Sequence, residues 1–433
     1  MNDLLDAAEE VLSMGEICDF CLGRRFARLS YGLSNGERGR ALRTSVYLRN
    51  DEEYSENEDC WVCDGAFDEL GFWVDEAEDK LSGLEFDGFL VGCNTPPLVE
   101  ENEKLLDDVV DPELKQNFGS DFNMELGKRL EGRVDAEVEF ETPDVVAVAD
   151  LQENEVELQV NPIYVYGRYR KLERGIPQTE WPCRDCGGRG CDRCDGTGYM
   201  YEDSVEELVR PYFMENFDGE RFVFHGAGRE DVDALMLGRG RPFVAEIKEP
   251  RVRDVDLESI EDSVNTEVGD KVEVTDLSFV GGDAVERVKK ADADKRYRAT
   301  VRVEGEIEMV EIRDALQEIE GKVEQRTPER VNHRRADKIR ERNVLDAELL
   351  AKEKVAAGDS TREEVPESHD GYESGSAEGD LVAVEFECEG GLYVKELVSG
   401  DNGRTEPSLT DLVGVEMEVD DLDVVDVVGD FPG

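Results

Sequence analysis

Lysine is missing until Lys80, and histidine occurs three times, at His225, His333 and His369. No stretch of about 18 apolar residues occurs, which excludes a membrane-spanning helix. The start, MNDLLDAAEEVLSMGEIC, is an acidic amphipathic pattern without the basic and apolar regions of a secretory leader. The expectation is a soluble, cytoplasmic protein with no membrane partner. Walker A, GxSxG and HExxH patterns are absent, and GRGRP lacks the strand, glycine spacing and helix of a dinucleotide turn. No organic cofactor is therefore expected. No repeat of fixed period is present.

What the chain has in excess is acid. Its 433 residues carry 107 Asp and Glu against 50 Lys and Arg, a net charge of -57, yet 39% are hydrophobic. That apolar share excludes a disordered chain and is enough for two or three domains. The acids run the full length instead of forming a tail. This favours a surface adapted to strong electrolyte, a halophilic composition, over a dedicated cationic partner. Two islands go the other way. Residues 20–43 hold six arginines against Glu37 alone, and residues 322–343 hold eight Lys and Arg against four acids. A basic island on so acidic a chain points to an anionic partner such as nucleic acid.

Eight of the ten cysteines fall into CxxC pairs, Cys18/Cys21, Cys60/Cys63, Cys183/Cys186 and Cys191/Cys194, leaving Cys93 and Cys388. In a reducing compartment this spacing indicates metal. Two closed thiolate tetrads follow, binding one or two structural zinc ions. The WPCRDC segment contains the PCxxC of zinc nucleobase deaminases, but no histidine is upstream and none is followed by xE, so that reading fails on its ligands.

Periodicity gives an α+β chain. Helices are predicted in PPLVEENEKLLDDVV, in NFGSDFNMELGKRLEGRV through Phe122, Leu126 and Leu130, and in SVEELVRPYFMENF. Strand, turn and strand are predicted in AEVEFETPDVVAVADLQENEVELQV, and strands in RPFVAEI, RYRATVRVEGEIEMVEI, LVAVEFECEG and GLYVKELVS. Residues 1–165 form an expected accessory domain and 166–433 the main body. A zinc knuckle is expected at 181–199 and a mobile polar loop at 356–380.

The stretch HGAGREDVDALMLGRGRPFVAEI places Asp231 and Asp233 among glycines and arginines. On its own, GREDVDAL reads equally as an acidic helix start. In order with KRYRATV, QRTPERVNHRRADKIRER, GLYVKELVSGDNGRTEPSL and the bridge YVYGRYRKLERGIPQTEW, it resembles the archaeal and eukaryotic tRNA pseudouridine synthases that act on T-loop uridines 54 and 55.

The resemblance implies a zinc-containing, THUMP-like N-terminal domain, then a catalytic domain with a mixed, largely antiparallel sheet. It also implies the T-arm of tRNA as partner, with no obligatory protein partner. It makes Asp231 the nucleophile, Tyr297 the stacking residue and a candidate acceptor of the C5 proton, and Lys395, on a strand, the cation beside Asp231. Arg229, Arg334, Arg335 and Lys338 are assigned to phosphate contact or pocket bracing, and Leu397 to an apolar wall beside the uracil. Asp233 is assigned a structural part. The sequence departs from the family pattern at Leu235, where a basic residue is usual. Two other readings compete: a catalytically silent zinc- and THUMP-type tRNA-binding protein or chaperone, and a different tRNA-modifying enzyme, disfavoured by the missing methyl-donor and ATP motifs.

Overall fold

The computed structural model describes residues 2–55, 59–331, 336–354 and 380–432. Arg334, Arg335 and residues 356–379 of the expected loop lie outside them. The chain divides into two units: Met1–Pro162 with Lys248–Asp254, and Ile163–Ile247 with Val255–Gly433.

The first unit contains α1 (Asn2–Ser13), α2 (Asp19–Arg24), α3 (Asn35–Asn50), α4 (Leu70–Leu81), β1 (Gly88–Asn94), α5 (Pro97–Leu105), α6 (Phe118–Glu131), β2 (Glu137–Val138), β3 (Val145–Asp150) and β4 (Glu155–Val160). A capping box between Ser34 and Glu37 starts α3. The sheet order is β2-β1-β3-β4, with β1 parallel to both neighbours and β4 antiparallel to β3. Val145, Ala147 and Ala149 alternate inward on β3, and helices cover that face through Trp73, Phe118, Phe122, Leu126 and Leu130.

The first basic island faces inward here. Arg24, Arg25, Arg38 and Arg43 are buried; Arg24 pairs with Glu103, Arg25 with Asp107 and Arg43 with Asp19. Only Arg28 and Arg40 of the six are exposed. Most of the island thus pairs inward with partly buried carboxylates and with carbonyls instead of offering charge to an external anion, which corrects the expectation for residues 20–43.

The second unit contains β5 (Ile163–Lys171), α7 (Val205–Phe217), β6 (Arg221–Gly226), β7 (Met236–Lys248), α8 (Leu257–Glu267), β8 (Val272–Val280), α9 (Asp283–Lys290), β9 (Asp294–Val303), α10 (Met309–Ile319), β10 (Gly321–Arg326), β11 (Ile339–Lys354), β12 (Asp380–Cys388), α11 (Val394–Ser399), β13 (Thr405–Glu406), α12 (Leu409–Val413) and β14 (Met417–Val428). Its sheet runs β13-β10-β11-β12-β9-β14-β7-β5-β8, with β6 paired to β7. Along this path the β14–β7 contact is parallel and the other pairings are antiparallel. Two apolar cores lie against it. One gathers Val209, Phe213, Phe243 and Val274; the other gathers Val301, Ile312, Leu316 and Val384.

Two strand expectations are corrected. RYRATVRVEGEIEMVEI is strand only to Val303; past Gly305, Ile312, Leu316 and Ile319 recur at helical spacing and Glu308 with Glu311 forms a capping box, giving α10. GLYVKELVS is a helix, not a strand: Val394, Leu397 and Val398 bury one face at i, i+3 and i+4, and Gly400 closes α11 at φ 78°.

Candidate active site

The register places the acid stretch beside the predicted tyrosine. Residues 227–235 link β6 to β7, and Met236 at the start of β7 pairs with Val424 of β14. Val424 pairs on its other side with Tyr297 of β9, which pairs in turn with Phe386 of β12. Tyr297 is half-buried and packs against both apolar cores, at their seam. Burial pushes its phenol well above the ordinary tyrosine range; Arg241 opposes this, and Cys388 and Asp231 reinforce it. Asp231 is thus within electrostatic reach of the ring.

Asp231 and Asp233 present exposed carboxylates, and α11 delivers a cation between them. Lys395 Nζ lies 3.8 Å from Asp231 Oδ2 and 3.6 Å from Asp233 Oδ2. The Lys395 side chain is 25% exposed, so these contacts are screened less than those of a free surface pair. The next residue, Glu396, is buried and accepts a 2.7 Å hydrogen bond from Arg330 Nε. Arg330 also feels the Asp231 charge, so a second cation stands behind the first.

Beneath the loop is a framework that the sequence reading did not assign. Glu230, adjacent to Asp231, is buried against Arg241 at 2.8 Å and accepts from the Tyr169 hydroxyl at 2.8 and 2.9 Å. Gln178 Nε2 donates to that hydroxyl and to the Gly228 carbonyl. Lys171, fully buried, donates to the carbonyls of Ile176, Asp231 and Val232 at 2.8, 3.2 and 3.0 Å. Arg174 donates to the Asp233 carbonyl and to both oxygens of Asp423, which also accepts from the Leu235 amide. The loop is therefore held by its backbone, which leaves the two aspartate carboxylates to project. The available signal was the bridge YVYGRYRKLERGIPQTEW, which supplies Tyr169, Lys171, Arg174 and Gln178.

The other expected residues are dispersed. Arg229 is exposed and its guanidinium lies 4.5 Å from the Trp181 ring centroid. Lys338 is exposed, with its backbone bonded to Thr327. Leu397 is fully buried in the second core, so it supports α11 from below and offers no free face to a base. Leu235 is half-buried; it donates to Asp423 and accepts from the Val424 amide, so the ordering of this segment comes through its backbone.

The cysteines form two tetrads, Cys18, Cys21, Cys60, Cys63 and Cys183, Cys186, Cys191, Cys194, with the sulfurs of each within 4.8 Å of one another. Cys18 Sγ and Cys63 Sγ are 3.8 Å apart, and Cys183 Sγ and Cys191 Sγ 3.7 Å. A tetrahedron with Zn–S bonds of about 2.3 Å has sulfur–sulfur edges of about 3.8 Å, so the donor sets fit a zinc ion. Arg24 Nη1 donates to Cys21 Sγ at 2.7 Å, offsetting thiolate charge. In the knuckle, the Gly198 amide donates to Cys194 Sγ at 3.2 Å, and a Cβ there would stand 2.5 Å from the Gly188 oxygen.

Residues 164–358 and 371–428 match the family model described as Pus10, C-terminal, and residues 73–150 match that described as Pus10 THUMP domain, archaeal. The chain is 48% identical to a tRNA pseudouridine synthase Pus10 of Halorubrum lacusprofundi, over 99% of this chain and 97% of the relative. It is 42% identical to the protein of the same name from Methanothrix thermoacetophila, over 99% and 95%. The corresponding Pyrococcus furiosus protein is 36% identical, over 99% of each.

Proposed function

We propose that this chain, which belongs to the Pus10 family of tRNA pseudouridine synthases, isomerises uridine 54, uridine 55 or both in the T-loop of tRNA, with Asp231 as nucleophile. The observation that carries the assignment is the meeting of Asp231, Lys395 and Tyr297 at one seam of the sheet.

The target nucleotide leaves its stack and its uracil lies on the Tyr297 ring, which replaces part of the lost stacking. An Asp231 oxygen bonds to C1′, and the C1′–N1 bond breaks with its electron pair left on uracil. The uracil anion turns, C5 attacks C1′, and the C1′–O bond breaks to restore the carboxylate. Loss of the C5 proton and protonation of N1 complete an isomerisation that consumes no other reactant.

Esterification of Asp231 removes a negative charge that raises the Tyr297 phenol, so the phenol holds its proton less tightly during the covalent stage. Asp233 keeps a counter-charge on Lys395 at 3.6 Å over the same interval. Arg229 and Lys338, with Arg334 and Arg335 from outside the described residues, serve the RNA phosphates. Leu397 backs α11. Each cysteine tetrad holds a structural zinc, which supplies crosslinking and no step of the reaction.

The test is incubation with an unmodified tRNA transcript in concentrated KCl, with pseudouridine mapped by carbodiimide-dependent reverse-transcription stops. Wild type should give stops at position 54, 55 or both, and Asp231→Asn should lose more than about 10⁴-fold in rate. Full pseudouridine formation by Asp231→Asn would eliminate the assignment.

A further inference from the structure

Lys295 is unlike the other cations around the acid loop. Lys395 faces two aspartates, Arg330 is bonded to Glu396, Arg241 to Glu230, and Lys171 to three carbonyls. In a chain of net charge -57 such pairing is the expected state of a partly buried cation. Lys295 is half-buried, and its ammonium makes no hydrogen bond or ion pair with any described residue. Its nearest influential charges are Arg241, of the same sign, and Asp292.

Its position is informative. Lys295 precedes Tyr297 by two on β9 and therefore shares its face of the strand. Its Nζ lies 3.7 Å, and Arg241 Nη1 3.3 Å, from the point a Cβ at Gly228 would occupy. Gly228 has φ 74° and stands three residues before Asp231. Two cations therefore flank one side-chain-free residue, Gly228, three positions before the proposed nucleophile. Arg241 is held by Glu230 and by the Ala227 carbonyl at 2.8 Å, so it supplies field while Lys295 remains the group able to make contact. Burial and Arg241 push the Lys295 ammonium down to about 8, against Asp292, which still leaves it charged at neutral pH. An anion arriving there would relieve the repulsion between Lys295 and Arg241, which Asp292 and Glu230 offset in part.

We infer that Lys295, backed by Arg241 and lying along Gly228, binds a phosphodiester group of the RNA next to the nucleotide being isomerised. The inference rests on the proposed reaction for its choice of anion. A base swung out of the helix keeps its flanking phosphates, and a charge-assisted contact to one of them fixes where C1′ stands relative to Asp231.

The test measures the dissociation constant of a T-arm hairpin across a KCl series in which circular dichroism shows every variant folded. Lys295→Gln should weaken binding about tenfold and lower the slope of log Kd against log [KCl] by about 1, with Lys295→Arg restoring most of both. A hairpin with one uncharged methylphosphonate linkage flanking the target uridine should lose the same factor with wild type and no further factor with Lys295→Gln. An unchanged slope, or a fall in kcat without a change in Kd, would overturn the contact. If Lys295→Gln fails to fold, the methylphosphonate effect on wild type decides alone: no loss at either flanking linkage overturns it. Pseudouridine formation by wild type is scored in the same samples, so failure of the reaction and failure of the contact register separately.

Discussion

Lys171 holds the acid loop by three carbonyls with three ammonium hydrogens, and it is where pH should act. Burial pushes this group down to about 8, against Glu230 and Asp233. Between pH about 8 and about 10.4 the unfolded chain keeps a proton that the folded chain releases, so this residue's contribution to global stability rises with pH. The loop, however, loses one donor in that window. We expect kcat to fall above pH about 8 while Tm does not, read from pH–rate profiles alongside calorimetry. A Tm that declines in step with kcat would trace the limb to unfolding instead. Lys295 titrates in the same range, and its effect should appear in Kd.

These two lysines also mark what could be read in advance at this scale. Asp231, Tyr297 and Lys395 each stand in a motif with a recognisable neighbour pattern, and the fold brings them together. Lys171, Glu230 and Arg241 act through burial and through partners up to 61 positions away, as with Lys171 and the Val232 carbonyl, and Lys295 through partial burial beside Gly228. A residue whose task is to hold another residue's backbone carries no local signature.

Among the elements, long amphipathic helices such as α6 and α7 and the alternating β3 were legible because their apolar spacing repeats over several turns or pleats. The six-residue α11 was not: one turn of β-branched and leucine residues satisfies a strand pattern equally well, and only packing on the second core decides. The cysteine pairs were the clearest signal, since CxxC spacing already closes half of each tetrad. Their pairing in space gives a quantitative expectation. The purified protein should contain two zinc ions per chain by elemental analysis, and Cys194→Ser, in the knuckle, should reduce this to one. The first tetrad lies in the core of its unit, with Cys21 and Val62 fully buried, so Cys21→Ser should also lower Tm, by well over 5 °C, whereas Cys194→Ser should affect it less. Two zinc ions remaining in either variant would sever the link between the tetrad and the metal.

At the scale of the whole molecule, charge sets the conditions under which any of this operates. An excess of 57 negative charges repels both itself and RNA, and at 1 M salt that repulsion is screened within about 3 Å. Cations that would otherwise reach phosphates are largely engaged: Arg326 with Asp337, Lys322 with Glu341, Arg330 with Glu396, and the buried arginines of the first island with Glu103, Asp107 and Asp19. Few counterions are therefore displaced when tRNA binds, and the slope of log Kd against log [KCl] is proportional to that number. On the proposed reading, stacking on Tyr297 and shape recognition would carry more of the affinity, and both depend less on salt than phosphate contacts do. Contacts set back from solvent, such as the one assigned to Lys295, are screened least. Binding of unmodified tRNA should accordingly change little above about 1 M KCl, while Tm should fall as KCl is lowered toward about 0.1 M and the acids repel one another over about 10 Å. Titrating tRNA against folded protein from 1 to 3 M KCl checks this: a shallow slope fits a recognition surface made of few phosphate contacts, and a steep loss of affinity with the protein still folded would mean that many more cations meet the RNA than the ion pairs leave available.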